Sequence, residues 1–262
     1  MSTTLANLPL PVVAAVIIVS GIAIAIAGLV IARRLLPVET LASHHDITGA
    51  QFQVVGTLYA VLLAFIVITV WQRYESLTST LELEAADVLE LFRDTRQYPD
   101  AVHDALAGDL RAYIDAVIGD EWEAMSRGGE SAKAQATFEQ LWRTYRELPV
   151  RDERELAAQI ETLRRMNELA ENRHLRLLRS RSKIPPVLWL GLLGGAMLTV
   201  TFSYFFGARS LALQVLMTAG FAGTISLFIF VILILDAPFA GFSTISREPF
   251  TRALRVMAEY SR

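Results

Sequence analysis

The side chains whose types could support chemistry are few in this chain, and their spacing argues against most reactions. His44-His45-Asp46 is the one histidine cluster. Neighbouring histidines on a loop point apart, and no distant ligand set completes a metal site, so a loop-surface or membrane-interface role is the expectation. His103 and His174 sit singly on charged segments and read as solvated. Asp120-Glu121-Trp122-Glu123 lacks the spacing and the glycine of a calcium loop. There is no glycine-rich phosphate loop, no GxSxG and no HExxH. With no cysteine in the chain, disulfides, thiolate ligands and thiol nucleophiles are excluded. No enzyme activity, cofactor or metal is expected. What remains is a ladder of uncharged side chains: Gln53, Thr57, Val61 and Phe65 recur every fourth residue, with Ala60 and Ala64 beside them. On a helix these share one face. Such a face could line a water-filled path with its apolar rungs as a dewetting constriction. It could equally be a seam where small and polar residues bring two helices together.

The ladder lies in one of four apolar stretches, roughly Pro9–Leu36, Phe52–Trp71, Pro185–Phe206 and Leu211–Leu235. Each holds about 20 uncharged residues, enough at about 1.5 Å per residue to cross a hydrocarbon core of about 30 Å. A surface helix of this length would carry charge on one face, and these do not. The chain is therefore read as all-α and polytopic, with four transmembrane helices in two pairs around a helical bundle. Its domains are expected at 1–71, 72–184, 185–235 and a tail at 236–262. The first apolar run is too long for a signal peptide and has no basic residue before it, so it reads as a retained span.

The spans contain no ionisable side chain between their ends. That disfavours a proton relay or coupling-ion site. Asp236, at the exit of the fourth, is expected to cap or anchor the following turn. Lys and Arg near the span ends set the orientation. If both termini and the middle share one side, that side holds Arg73, Arg173, Arg176, Arg179, Arg181, Lys183, Arg247, Arg252 and Arg255. The other has Arg33, Arg34 and Arg209. The imbalance puts both termini and residues 72–184 in the cytoplasm, although the Arg33–Arg34 pair pulls the other way. A net charge of −3 gives no field that would favour nucleic acid.

In the middle segment the apolar residues Leu77, Leu81, Ala85, Val88 and Phe92 step by three and four, and nothing breaks the helix before Pro99. The second span is thus expected to run on as one helix, on the order of 60 to 70 Å in all. Further helices are expected at about 100–125 (Val102, Leu106, Leu110, Tyr113, Val117), 131–148 (Phe138, Leu141, Trp142, Tyr145) and 152–181 (Leu156, Ile160, Leu163, Leu177). The dense charge of the last reads as a solvated face laced by i,i+4 pairs, and its basic run Arg173–Lys183 as a lipid-headgroup contact.

Val55-Gly-Thr-Leu-Tyr-Ala-Val-Leu-Leu-Ala-Phe65, Val70-Trp-Gln-Arg-Tyr-Glu75 and Glu84-Ala85 together resemble a bacterial bestrophin-like family of undefined function. Leu235-Asp-Ala-Pro-Phe-Ala-Gly241 and Ser246-Arg-Glu-Pro-Phe250 resemble its carboxy-terminal signature. The residues carrying the likeness include Trp71, Tyr74, Glu75, Glu84, Asp236 and Pro238. More distantly, Trp71-Gln-Arg-Tyr-Glu75 is similar to the segment that ends the second span of bestrophins, which are pentameric anion channels with a hydrophobic neck on that helix. The resemblance implies a pore lined by Gln53, Thr57, Val61 and Phe65, the last three as the neck. This neck is less aromatic than theirs, and the acidic calcium clasp has no counterpart. Two functions stay open: a homo-oligomeric, pentameric channel for small inorganic anions, or a membrane-anchored interaction or sensory scaffold without transport. The resemblance places the chain in a bacterial inner membrane, with the lipid bilayer and copies of itself as partners of the channel, whereas the scaffold would recruit a soluble protein through its cytoplasmic bundle.

Overall fold

The computed structural model describes residues 9–35, 45–148, 150, 152–205, 210–239 and 245–260, the side chains of residues 45–48 excepted. The described residues form helices and short connections, with no strand. In chain order they are α1 (Leu10–Leu35), α2 (His45–Asp94), α3 (Asp100–Ala116), α4 (Trp122–Ser126), α5 (Ala132–Arg146), α6 (Glu153–Arg181), α7 (Pro186–Tyr204), α8 (Leu211–Leu235) and α9 (Glu248–Glu259). Local chemistry sets their ends. Pro186 occupies the first turn of α7, where its missing N–H costs nothing. Ser131, Asp152 and Ser210 cap α5, α6 and α8 by accepting the amides of Ala134, Glu155 and Leu213. Gly128 supplies the positive φ of 76° that the turn after α4 requires.

Four helices are long and apolar enough to cross a membrane: α1, α2, α7 and α8. By its contacts the chain divides into two compact units, residues 1–72 with 183–237 and residues 73–182 with 238–262. In the first unit α2 turns Tyr59, Leu63, Ile66 and Val70 toward Ile184, Leu192, Ala196, Ile225 and Ile232. Without a hydrophobic drive between spans, close packing depends on small residues. Glycine serves this at two places. A Cβ on Gly195 would sit 2.5 Å from the Tyr59 ring, and one on Gly21 would sit 2.0 Å from the Ser226 Oγ. Asp236 caps more than its own turn, because its Oδ1 accepts the Ile184 amide at 2.8 Å just ahead of α7.

The second unit is built around the part of α2 beyond the span. Leu77, Leu81, Ala85, Val88 and Phe92 are all buried, as their spacing predicts. They meet Leu106, Leu110 and Tyr113 of α3 and Phe138, Leu141 and Tyr145 of α5. Residues 245–260 join this core: Phe250, Ala253 and Met257 of α9 are fully buried, and Trp122 packs edge-on against Phe239 and Phe250. The helix expected at 100–125 is interrupted by a π turn, Val117–Glu121, which inserts one residue and shifts the register behind it.

Two expectations for α6 are corrected. Its buried stripe is Thr162, Met166, Leu169, Arg173, Arg176, Leu177 and Ser180, whereas Leu156 and Ile160 are exposed. Its charge is not all solvated either, since Arg173 and Arg176 lie inside. An arginine whose head is paired and whose stem is apolar fills a core position as a long aliphatic residue would.

Candidate functional site

Two places bring together residues that the sequence marks. The first is the face of α2 opposite its buried side. Gln53, Thr57, Val61 and Phe65 are all exposed within the subunit, Val61 by 48% and Phe65 by 66%. Ala60, Ala64 and Ile68 extend the same surface. The helical period explains the division: Tyr59, Leu63, Ile66 and Val70 turn inward, so the ladder turns outward. Among the described residues of the same subunit, none buries Val61 or Phe65. Trp71 is exposed farther along the helix, Tyr74 is half-buried against the second unit's core, and Glu75 is exposed. Pro238 is buried and its carbonyl accepts the Ile245 amide at 2.7 Å, which ties the signature segment to the start of the last stretch. The cluster His44-His45-Asp46 falls outside the described side chains. Among the described residues no group of His, Asp and Glu could hold a metal ion.

The second place is a buried ionic cluster in the second unit, built on Glu84. Arg176 Nε donates to Glu84 Oε2 at 2.6 Å, and its Nη2 donates to Glu84 Oε1 at 3.0 Å and to Glu121 Oε2 at 2.5 Å. Arg173 Nη2 donates to Glu121 Oε1 at 2.9 Å, and its Nη1 to Gln135 Oε1 at 2.9 Å. The Tyr113 hydroxyl donates to Glu84 Oε1. Glu84, Glu121 and Arg176 are completely buried. Two arginines against two glutamates leave the set neutral, which a low-dielectric interior demands. Burial pushes the Tyr113 hydroxyl pKa well above its ordinary value, and the adjacent Glu84 carboxylate adds to this. The phenol therefore stays a donor. Burial alone would weaken the charge on Arg176, but Glu84, Tyr113 and Glu121 hold its pKa well above the ordinary value.

Of this cluster the family resemblance marks only Glu84. Glu121 enters the sequence reading only in an acidic run that lacks a calcium loop, and the solvated face and lipid-headgroup contact expected around Arg173 and Arg176 are corrected, since both are buried. The signal was present in the spacing: Leu169, Arg173, Arg176 and Ser180 keep the three-four step of an inward stripe, so the two arginines occupy core positions. Glu121 gives no such signal, because the π turn that orients it breaks the period. His103, also read as solvated, is half-buried and shares a 2.7 Å hydrogen bond with Thr95 Oγ1. His174 is exposed, as expected. Arg179 lies against α2, where its Nη1 donates to the Ser76 carbonyl at 3.0 Å and to Thr80 Oγ1.

Among the described residues the geometry offers an uncovered face on α2 and a buried ionic cluster, and no arrangement of nucleophile, base and oxyanion donors. Comparison with known proteins agrees with the helical architecture. The model of the bestrophin-like domain matches residues 20–250. Among solved structures, a variant of a bacterial bestrophin homolog from Klebsiella pneumoniae is similar at 14% identity, with a TM-score of 0.68, over 92% of this chain and 99% of that one. A second variant of the same homolog gives 13% identity and a TM-score of 0.67 over 93% and 98%. A structure described as a membrane protein variant gives 14% and 0.65 over 92% and 96%. No curated protein matches the chain.

Proposed function

Because the chain belongs to the bestrophin-like family, we propose that it is the subunit of a homo-oligomeric membrane ion channel whose axis is lined by α2. One observation carries this reading: α2 leaves Gln53, Thr57, Val61 and Phe65 uncovered while burying Tyr59, Leu63, Ile66 and Val70. Four spans per subunit are too few to enclose a water-filled path, so the uncovered face would meet its equivalents around a symmetry axis. Five copies, and small inorganic anions as the permeant species, follow from the likeness to bestrophins. Gln53 would lie toward the outer mouth. Thr57, Val61 and Phe65 would form the neck, whose apolar rungs dewet when narrow. The family likeness suggests a bacterial inner membrane, and the distribution of Lys and Arg supports both termini and residues 72–184 in the cytoplasm.

Purified protein in liposomes tests the proposal. Chloride flux is expected, and replacing Val61 or Phe65 by Ala should raise it by widening the constriction. If these side chains pack instead, the same changes leave flux alone and cost about 2–5 kcal/mol of stability. No flux of chloride or any other ion would remove the channel reading.

A further inference from the structure

Outside the α2 face, the first unit holds a groove of about 310 Å³ between α1, α7 and α8. Its walls are almost wholly apolar, with Ile17, Ile24, Leu193, Met197, Val200 and Ile229 among them. The small residues that draw α1 and α8 together create it: Gly21 lies so near Ser226 that nothing larger fits, and Ala25, Ala196 and Ala222 leave the outer side hollow. These three helices contain no Asp or Glu, and Arg33 and Arg34 are their only formal charges. Both lie in the last turn of α1, on the side of the groove marked by Tyr204. A chain of polar contacts runs from there. Arg33 Nε donates to Gln214 Oε1 at 2.7 Å, Gln214 Nε2 donates to the Tyr204 carbonyl at 3.1 Å, and the Tyr204 hydroxyl donates to the Ala25 carbonyl at 2.8 Å. Gln214 is buried, so this network fixes the basic end relative to the apolar slot.

From this juxtaposition we infer that the groove is a binding site for an anionic phospholipid, one acyl chain lying in the slot and the headgroup phosphate at Arg33 and Arg34. The dimensions agree. Ile17 and Arg33 are 16 residues apart on one helix, about 24 Å along its axis. One leaflet of hydrocarbon plus its polar layer is about 20 Å. A chain end at Ile17 therefore brings the phosphate level with the arginine pair. Charge complementarity selects the occupant, since each basic residue near an anionic headgroup contributes about 1 kcal/mol, or about fivefold in affinity. A zwitterionic lipid gains much less.

The test uses the full-length protein in detergent, supplemented with phosphatidylglycerol or phosphatidylcholine of identical chains. Lipid retained per subunit is counted by native mass spectrometry, and melting temperature is followed in parallel. Phosphatidylglycerol should be retained and should raise the melting temperature, whereas phosphatidylcholine should do neither. Arg34→Gln should weaken retention about fivefold. Ser20→Phe should abolish it by filling the slot. Ser20 is exposed and its hydroxyl donates to the Ile17 carbonyl of its own helix, so this variant should keep its fold. Equal retention of both lipids, or retention unchanged by Arg34→Gln and Ser20→Phe together, would mean ordinary boundary lipid and overturn the inference. So would capture of the groove by a second copy, seen as a cross-link between cysteines placed at Met197 and at the α1 rim of another subunit.

Discussion

Removing Arg176 should unfold the second unit more readily than any surface change on the same helix. The guanidinium makes three short hydrogen bonds to Glu84 and Glu121, and all three side chains have zero exposure. Arg176→Met keeps the length and apolar stem but deletes the charge. Glu84 is then left with the Tyr113 hydroxyl, and Glu121 with Arg173, so one negative charge in the core has no counterion. Breaking a buried pair from one side costs about 3–5 kcal/mol. That is a large part of the roughly 5–15 kcal/mol that holds a whole domain. The assay is denaturant unfolding in mild detergent, followed by the fluorescence of Trp122, which packs on Phe239 and Phe250 in the same core. The other three tryptophans should first be replaced by Phe. At constant m, the midpoint shift gives the loss directly. A double-mutant cycle with Glu84→Gln should then show strong coupling, because the second change removes the charge that the first left stranded. Arg164→Gln, on the solvated face of α6, is the control and should leave the midpoint unchanged. A loss below about 1 kcal/mol for Arg176→Met, or additivity in the cycle, would refute the reasoning that the cluster is a closed, desolvated set.

Further outcomes follow from the same structure. Burial, opposed by the Asn172 hydrogen bond and reinforced by Glu168, Glu90 and Glu84, raises the Asp87 pKa to about 6. The folded protein therefore holds a proton between about pH 4 and 6 that the unfolded chain has released. Stability should rise as the pH falls through 6 toward 4, and Asp87→Asn should flatten this response and add on the order of 1 kcal/mol at pH 7; pH-resolved melting curves check both. Gly195→Leu would force a side chain into the Tyr59 ring and should cost about 1–3 kcal/mol by overpacking, visible as a lower melting temperature. Asp236→Ala removes the acceptor of the Ile184 amide and should cost about 1–3 kcal/mol as that donor loses its partner, measured the same way.

The spans, and the long α2 with its inward stripe, were legible because hydrophobic length and a three-four period are local properties of sequence. The ionic cluster was not, for the opposite reason. Arg173 and Arg176 become core residues only because Glu84 and Glu121 approach from distant points of the chain, and a charged letter reads as surface until its partner is known. The π turn at Val117–Glu121 leaves no compositional mark, so the inward aim of Glu121 could not be read. Leu156 and Ile160 misled in the other direction: their spacing fits an inward stripe, yet the helix turns a different face to the core. For α2 the residues alone favour a packing seam over a lining face, and only the family resemblance favours the pore. The structure shows which face its own subunit leaves uncovered.

The central claim is that this uncovered face borders water. The chain has no cysteine, so single cysteines can be introduced without background. Val61→Cys, Phe65→Cys and Leu63→Cys proteins in liposomes, treated with a charged, water-soluble methanethiosulfonate reagent, give the most direct measurement. Flux through Val61→Cys and Phe65→Cys should be blocked within the labelling time, and flux through Leu63→Cys, on the buried face, should be untouched. Labelling that spares 61 and 65, or that blocks through position 63 alone, would contradict the account.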